Sequence, residues 1–196
     1  QSFAKGWRKR QLRYSWLCSM MGKYDDFWEL TTRALDATLE EYALLSDHKI
    51  RDRLLSLYSE LNAYDEVPKV LNNLKNTGHK LVVLSNASPK MLKTAINAAG
   101  IAEYFDELIS VDVLGCYKPS PAVYRLVTET FNCVPSDVTF FSSNNWDVAG
   151  ASIFGFKTIW INRVGVSWDR LPGKPDLIAG SISEASNSMV GFNSQV

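Results

Sequence analysis

The chain has 196 residues and a mass of 22.0 kDa, enough for one α/β domain or for a core with a small second part. Lysine plus arginine and aspartate plus glutamate both number 21, and this balance argues against a general nucleic-acid binder. No apolar run approaches the length of a membrane span, so no membrane partner is predicted.

The first third of the sequence predicts helices only. Apolar residues recur there every three or four positions, which is typical of amphipathic helices that pack on one face. Ser46 or Asp47 is predicted to cap the third helix. We interpret residues 1–63 as a helical cap subdomain.

The pattern changes at Tyr64, where strands begin to alternate with helices. Asp65 is predicted to cap the first helix of this part, and Gly78 to end it. Continuous apolar strands that alternate with helices indicate an α/β fold with a parallel sheet and helices on both faces, so residues 64–196 form the predicted core domain. The predicted strands cover 80–84, 108–111, 138–142, 158–162 and a short segment from 177.

Three cysteines, Cys18, Cys116 and Cys133, are too few and too scattered for a disulfide framework or a zinc site. No signal-peptide pattern is present, so we predict a cytoplasmic location. The sequence begins with Gln1 rather than Met, and we expect that an upstream segment is missing.

Chemistry in an open parallel sheet is expected beyond the carboxyl ends of the strands. Each polar residue found there also has a plain interpretation: Ser-Asn as a turn, Lys-Pro as a solvated loop, and Asp147 as a helix cap. Their joint occurrence after successive strands favours a functional site. These residues are Ser85 and Asn86, Lys118, and then Ser142, Asn144 and Asp147.

These motifs resemble those of the haloacid dehalogenase superfamily, and more narrowly of the L-2-haloacid dehalogenases. The resemblance lies in Leu84-Ser85-Asn86, Lys118-Pro119 and the stretch from Ser142 to Asp147. The stretch Trp7–Leu17 is similar to the first cap helix of those enzymes. The resemblance implies a Rossmann-like core with a helical cap, and a homodimer. Trp7, Trp16 and Trp28 of the cap helices are predicted to supply an apolar face to a partner.

The implied activity is hydrolysis of short L-2-haloacids to 2-hydroxy acids with inversion at C2. An aspartate attacks C2, the halide leaves, and water hydrolyses the resulting aspartyl ester. The substrate partners are therefore a 2-haloacid and a halide ion, with no cofactor.

The resemblance also implies roles for individual residues. Arg8 matches the arginine that receives the departing halide. Its spacing alone favours one of several basic residues on an exposed helix face, and the motif reverses this interpretation. Tyr124 matches a hydrogen-bonding hydroxyl of the site, although a core tyrosine is an equal alternative. The other implied catalytic residues are Ser85 and Asn86 for substrate carboxylate and halide, Lys118 for the nucleophile, and Ser142, Asn144 and Asp147 for water and the ester.

Leu12, Phe27 and Trp146 match the apolar pocket around C2, and their alternative role is simply core packing. Lys9 stands where the family often has glutamine, and we predict that it lies at the mouth of the pocket or points to solvent.

A phosphatase of the same superfamily is the second hypothesis. Such enzymes need carboxylate oxygens for Mg²⁺, whereas Ser142, Ser143 and Asn144 are neutral and Asp147 alone is acidic. We therefore predict no metal site.

The superfamily's nucleophile lies after the first, central strand in a pattern like Asp-x-x-Gly-Thr-Leu, and this sequence contains no such pattern. We expect the sheet to lack that strand, the nucleophile to lie upstream, and these 196 residues alone to be inactive. A catalytically dead binding protein is the third hypothesis.

Overall fold

The computed structural model describes the backbone of residues 2–192, and the outermost positions of the two predicted domains, 1 and 193–196, lie outside that range. Within it, short 3₁₀ turns lie between several of the elements. The α-helices are α1 (Ser2–Met21), α2 (Phe27–Glu41), α3 (His48–Ser56), α4 (Val67–Asn76), α5 (Pro89–Ala98), α6 (Pro121–Phe131), α7 (Asn145–Phe154) and α8 (Ile182–Phe192). The strands are β1 (Val82–Ser85), β2 (Glu107–Ser110), β3 (Thr139–Ser142), β4 (Lys157–Ile161) and β5 (Leu177–Ala179).

The helix ends follow local side-chain chemistry. The carboxylate of Asp47 accepts a hydrogen bond from the amide of Ile50 at 3.0 Å, which confirms the predicted cap of α3. The predicted cap of α4 is wrong. Glu66 rather than Asp65 precedes that helix, because the amide of Val67 already donates to the carbonyl of Tyr64 at 2.9 Å and the helix begins later.

The strands confirm the α/β fold and form two sheets. Strands β3, β4 and β5 run parallel in that order, and β1 pairs with β2. Among residues 2–192, β1 pairs with a single strand, β2, and β3 pairs with a single strand, β4. This is expected for a sheet that lacks a strand. Burial follows the pairing, because β4 has two neighbours and is buried from Thr158 onwards, whereas all of β3 is half-buried.

Contacts divide the chain into two compact units. The first comprises the chain up to Asn62, Val83–Glu103 and Leu108–Tyr117, and the second comprises Ala63–Val82, Tyr104–Glu107 and the chain from Lys118 onwards. The division into a cap over 1–63 and a core over 64–196 stays a prediction.

Each unit has its own apolar core. In the first unit α1 packs on α2, and the indole nitrogen of Trp7 donates to the carbonyl of Thr31 at 2.9 Å. In the second unit α8 packs on β4 and β5. No helix within residues 2–192 is both long and apolar enough to cross a membrane. One cluster of buried residues in each unit comprises Trp7, Ala34, Leu35 and Leu39 in the first unit, and Ile159, Ile161, Ala179, Ala185 and Met189 in the second.

Candidate active site

The turn from β3 into α7 carries the predicted Ser142–Asp147 motif. The strand ends at Ser142, Asn144 is the N-cap residue of α7, and Asp147 lies in the first helical turn. The amide of Asn144 donates to the hydroxyl of Ser142 at 3.1 Å, and the amide of Asp147 donates to the carbonyl of Asn144 at 3.1 Å. These two bonds fix the turn and bring the Ser142 and Asp147 side chains together.

The carboxylate of Asp147 is the centre of a buried group of donors. Its Oδ2 accepts from Lys118 Nζ at 3.1 Å and from Ser142 Oγ at 3.1 Å, and its Oδ1 accepts from the Tyr124 hydroxyl at 3.0 Å. We call Lys118, Tyr124, Ser142 and Asp147 the Asp147 cluster. Because its side chain is bonded in this way and Asn144 holds the N-cap position, the alternative that Asp147 is a helix cap is wrong.

Lys118 is buried rather than solvated, which excludes the plain interpretation of Lys-Pro as a surface loop. Lys118 and Asp147 are each only 5% exposed, so the two charges compensate each other away from water. The ammonium of Lys118 also lies 4.9 Å from the centre of the Phe140 ring, within range of a cation–π interaction. Both contacts restrict the position of this ammonium.

Tyr124 is a core residue and a hydrogen-bond donor at the same time. Its ring is fully buried among Phe140, Phe154 and Phe156, with ring centres 5.9 to 6.0 Å away. Burial raises the pKa of the Tyr124 hydroxyl well above its usual range, and the nearby negative charge of Asp147 raises that pKa further. The hydroxyl therefore stays protonated at neutral pH and keeps donating to the carboxylate.

Gly150 makes room for this arrangement. A Cβ atom at this position of α7 would lie 2.6 Å from the Tyr124 hydroxyl and 2.7 Å from the Cβ of Pro119. Any larger residue would therefore displace the Tyr124 hydroxyl or the proline next to Lys118. Glycine allows α7 to approach both.

The first unit holds the predicted halide-binding arginine in a second polar group. Arg8 Nη1 donates to Gln11 Oε1 at 2.6 Å, and Gln11 Nε2 donates to Thr31 Oγ1 at 2.5 Å and to the Tyr58 hydroxyl at 3.1 Å. We call Arg8, Gln11, Thr31 and Tyr58 the Gln11 cluster. Arg8 lies on the exposed part of α1, as its plain interpretation describes, and so does Lys9.

Ser85 is the last residue of β1, Asn86 follows it, and the segment after the strand is hydrogen-bonded to the end of β2. The hydroxyl of Ser85 accepts from the amide of Ala87 at 3.0 Å, and the Ser110 hydroxyl donates to the carbonyl of Ala87 at 2.8 Å. Ser85 thus has the turn role that its plain interpretation describes, while both Ser85 and Asn86 remain partly exposed.

The predicted pocket residues have different environments. Phe27 is 6% exposed and its ring lies 5.6 Å from that of Tyr117, whereas Leu12 and Trp146 are half-buried. Their roles around C2 stay predictions.

The structure therefore brings together Lys118, Tyr124, Ser142 and Asp147, with Asn144 in the same turn. Arg8, Leu12, Phe27, Ser85 and Asn86 belong to the first unit.

Among residues 2–192 there is no group of three histidine, cysteine, aspartate or glutamate side chains that could hold a metal ion. The absence of a metal requirement stays a prediction.

A family model of haloacid dehalogenase-like hydrolases matches residues 5–155. The chain belongs to this family. It is 46% identical over 158 residues to (S)-2-haloacid dehalogenase 1 of Pseudomonas sp. (strain CBS-3), which covers 81% of this chain and 70% of that protein. It is 39% identical to haloacetate dehalogenase H-2 of Moraxella sp. (strain B), over 87% of this chain and 76% of that protein.

Solved structures of dehalogenases match this chain over nearly its whole length. One is the L-2-haloacid dehalogenase from Xanthobacter autotrophicus with chloropropionic acid covalently bound. It is 31% identical, with a TM-score of 0.89, and the match covers 97% of this chain and 86% of the other. The haloacid dehalogenase-like fold with parallel strands is thus shown by both sequence and structure.

Sequence reasoning missed five residues that belong to the two clusters or contact them, namely Gln11, Thr31, Tyr58, Phe140 and Gly150. Gln11 stands within the quoted cap-helix motif, but its spacing of three from Arg8 was the only available signal. The role of Gly150 depends on a contact between α6 and α7, which no local pattern predicts.

Proposed function

We propose that the protein hydrolyses short L-2-haloacids to 2-hydroxy acids with inversion at C2. The observation that carries the proposal is the buried Asp147 carboxylate, which accepts hydrogen bonds from Lys118, Ser142 and Tyr124. The dehalogenase activity for which the similar proteins of Pseudomonas and Moraxella are named supports it.

The reaction proceeds in two displacements. An aspartate carboxylate forms a bond to C2 and the halide leaves with the electron pair of the carbon–halogen bond. Water then adds to the carbonyl of the resulting ester, which releases the 2-hydroxy acid and a proton and restores the carboxylate. The 196 residues contain no Asp-x-x-Gly-Thr-Leu pattern, so the nucleophilic aspartate of the first step has to be added before the activity is tested.

The chain's own residues assist both steps. In this proposal Arg8 receives the departing halide, Ser85 and Asn86 contact the substrate carboxylate and the halide, and Lys118 orients the nucleophile. Ser142, Asn144 and Asp147 position the water and the ester, with the Tyr124 hydroxyl as a further donor. Leu12, Phe27 and Trp146 surround C2, and Lys9 lies at the pocket mouth.

The geometry argues against a Mg²⁺-dependent phosphatase. The ammonium of Lys118 lies 3.1 Å from Asp147 Oδ2, where a divalent cation would need that oxygen as a ligand. The neighbouring Ser142 and Asn144 add no negative charge. We therefore expect EDTA to leave the activity unchanged.

The test compares this chain with an extended form, in which an added N-terminal segment supplies a strand and the Asp-x-x-Gly-Thr-Leu pattern. We expect the extended form to release chloride from L-2-chloropropionate and to yield (R)-lactate, with no release from the D isomer. The matched control carries Asn in place of the added Asp and is inactive. Mg²⁺-dependent hydrolysis of p-nitrophenyl phosphate would instead establish the phosphatase.

We also propose a cytoplasmic homodimer. Trp7 is buried within the first unit and therefore cannot contribute to the predicted apolar face. Leu17, Met20 and Met21 at the end of α1 are exposed, and in this proposal they contact the second copy. Light scattering should give twice the 22.0 kDa mass of the chain, and aspartate at Met20 should lower it to that of one chain. A single-chain mass for the unmodified protein would exclude the dimer.

A further inference from the structure

The buried face of α1 is unusually polar. The buried residues of this helix are Trp7, Gln11 and Ser15, spaced by four so that they form one stripe. Gln11 is fully buried, with 0% exposure. A buried primary amide is costly unless its oxygen and nitrogen are both hydrogen-bonded, and Gln11 has partners for both.

The hydrogen bonds of Gln11 determine which way its amide points. Thr31 Oγ1 donates to the carbonyl of Phe27 at 2.6 Å, so this hydroxyl has its lone pairs left to accept from Gln11 Nε2. A second bond from Nε2 reaches the Tyr58 hydroxyl at 3.1 Å. The amide nitrogen is therefore directed at Thr31 and Tyr58, and the amide oxygen at Arg8.

The reversed amide would be unfavourable, because its NH₂ group would then face the guanidinium of Arg8, which is also a donor. Arg8 and Gln11 are three residues apart on α1 and hence neighbours on the helix surface. Burial raises the pKa of Tyr58, while the bond from Gln11 and the charge of Arg8 lower it, which agrees with Arg8 lying close to this group.

We propose that Gln11 is the positioning residue of Arg8: its amide oxygen fixes the guanidinium in the orientation in which it meets the departing halide. This inference rests on the halide role of Arg8 in the proposed function. A neutral amide suits the task, because it restrains the cation without placing a second negative charge beside it. A carboxylate at the same position would compete with the halide for the same donors.

The first experiment measures the order of Arg8 directly in the 196-residue chain, by ¹⁵N relaxation of the arginine Nε–Hε groups. Arg8→Lys assigns the signal, and Arg125, an exposed residue of α6, is the mobile reference. We expect Arg8 to be more ordered than Arg125 in the unmodified chain, and Gln11→Leu to lower the order of Arg8. Equal order of the two arginines in the unmodified chain would refute the proposal, as would an unchanged Arg8 in Gln11→Leu.

Two further variants separate positioning from general packing. Ser15→Ala alters the next buried residue of the same stripe, whose hydroxyl donates to the carbonyl of Leu12 within α1, and should leave Arg8 unchanged. Thr31→Val removes the acceptor that orients the amide and should lower the order of Arg8 partly. If Gln11→Leu does not fold, Thr31→Val decides, and an Arg8 as ordered as in the unmodified chain then overturns the inference.

The second experiment uses the extended form and the kinetics of chloride release. Gln11→Leu should lower kcat by about 10- to 100-fold with little change in KM, because the halide contact strengthens as the bond breaks. Gln11→Glu should keep Arg8 ordered and still lower kcat, since it adds the competing charge. An inactive extended form would contradict the proposed function alone, and the relaxation data would still decide the role of Gln11.

Discussion

The Asp147 cluster and the Gln11 cluster each restrain one long cationic side chain, but by different means. Lys118 is held by an opposite charge, and both members of the pair are buried. Arg8 is held by a neutral amide, which two hydroxyls on other helical segments orient in turn. The first arrangement compensates charge and the second fixes direction, so the two should respond differently when a partner is removed.

The largest expected effect is on the Asp147 cluster. Lys118→Met leaves the Asp147 carboxylate buried without its counter-ion, so we expect the free energy of unfolding to fall by about 3–5 kcal/mol. Urea denaturation of the 196-residue chain measures this change. The double variant Lys118→Met with Asp147→Asn should lose less than the sum of the single losses, because neither charge is then left alone.

A matched control is the exposed Arg33 of α2, which pairs with Asp25 at 2.8 Å and with Glu29 at 3.0 Å. Arg33→Met should change stability very little, because water already solvates all three charges. Additive losses at Lys118 and Asp147, or a similar small effect at both pairs, would contradict the view that the Asp147 cluster compensates buried charge.

Much of the Asp147 cluster could be predicted from the sequence, because polar residues that follow successive strands are expected to lie close together. Lys118, Ser142 and Asp147 each follow a strand or its loop, and each lies in the cluster. Gln11 was missed because the apolar period of α1 treats a buried glutamine as a break in the pattern. Its partners Thr31 and Tyr58 come from 20 and 47 residues further along the chain.

The boundaries of several helices could also be predicted from the sequence. Proline and glycine mark the helix ends, and Gly78 and Gly100 have the positive φ angles expected after α4 and α5. What the sequence could not supply is packing distance. Gly150 has a helical conformation and no local signature, and only the approach of Tyr124 and Pro119 shows why a side chain is excluded there.

The next prediction compares a glycine beside each cluster. Gly150→Ala should destabilise the chain by about 1–3 kcal/mol, because its Cβ would overlap Tyr124 and Pro119. Gly6 lies in α1, one residue before the core tryptophan Trp7, with nothing within 4 Å of an added Cβ. Gly6→Ala should therefore stabilise the chain by about 0.5–1 kcal/mol.

Thermal and urea unfolding of both variants check these signs. A stabilising Gly150→Ala would mean that α7 can shift without cost, and that the bond from Tyr124 to Asp147 does not depend on this close approach. In the extended form, Gly150→Ala should also lower the rate of chloride release, whereas Gly6→Ala should not.

The smallest expected effect concerns how the helices of the two clusters begin. Helix α2 begins after Asp26, whose carboxylate accepts from the amides of Trp28 at 2.7 Å and Glu29 at 3.0 Å. Asp26→Ala should therefore cost about 1 kcal/mol of stability. Helix α7 begins after Asn144, whose side chain makes no capping bond, so Asn144→Ala should leave stability nearly unchanged. If Asn144 instead positions water or the ester, the same variant lowers chloride release by the extended form, while Asp26→Ala does not. A stability loss at Asn144 equal to that at Asp26 would show that its side chain serves the helix rather than the reaction.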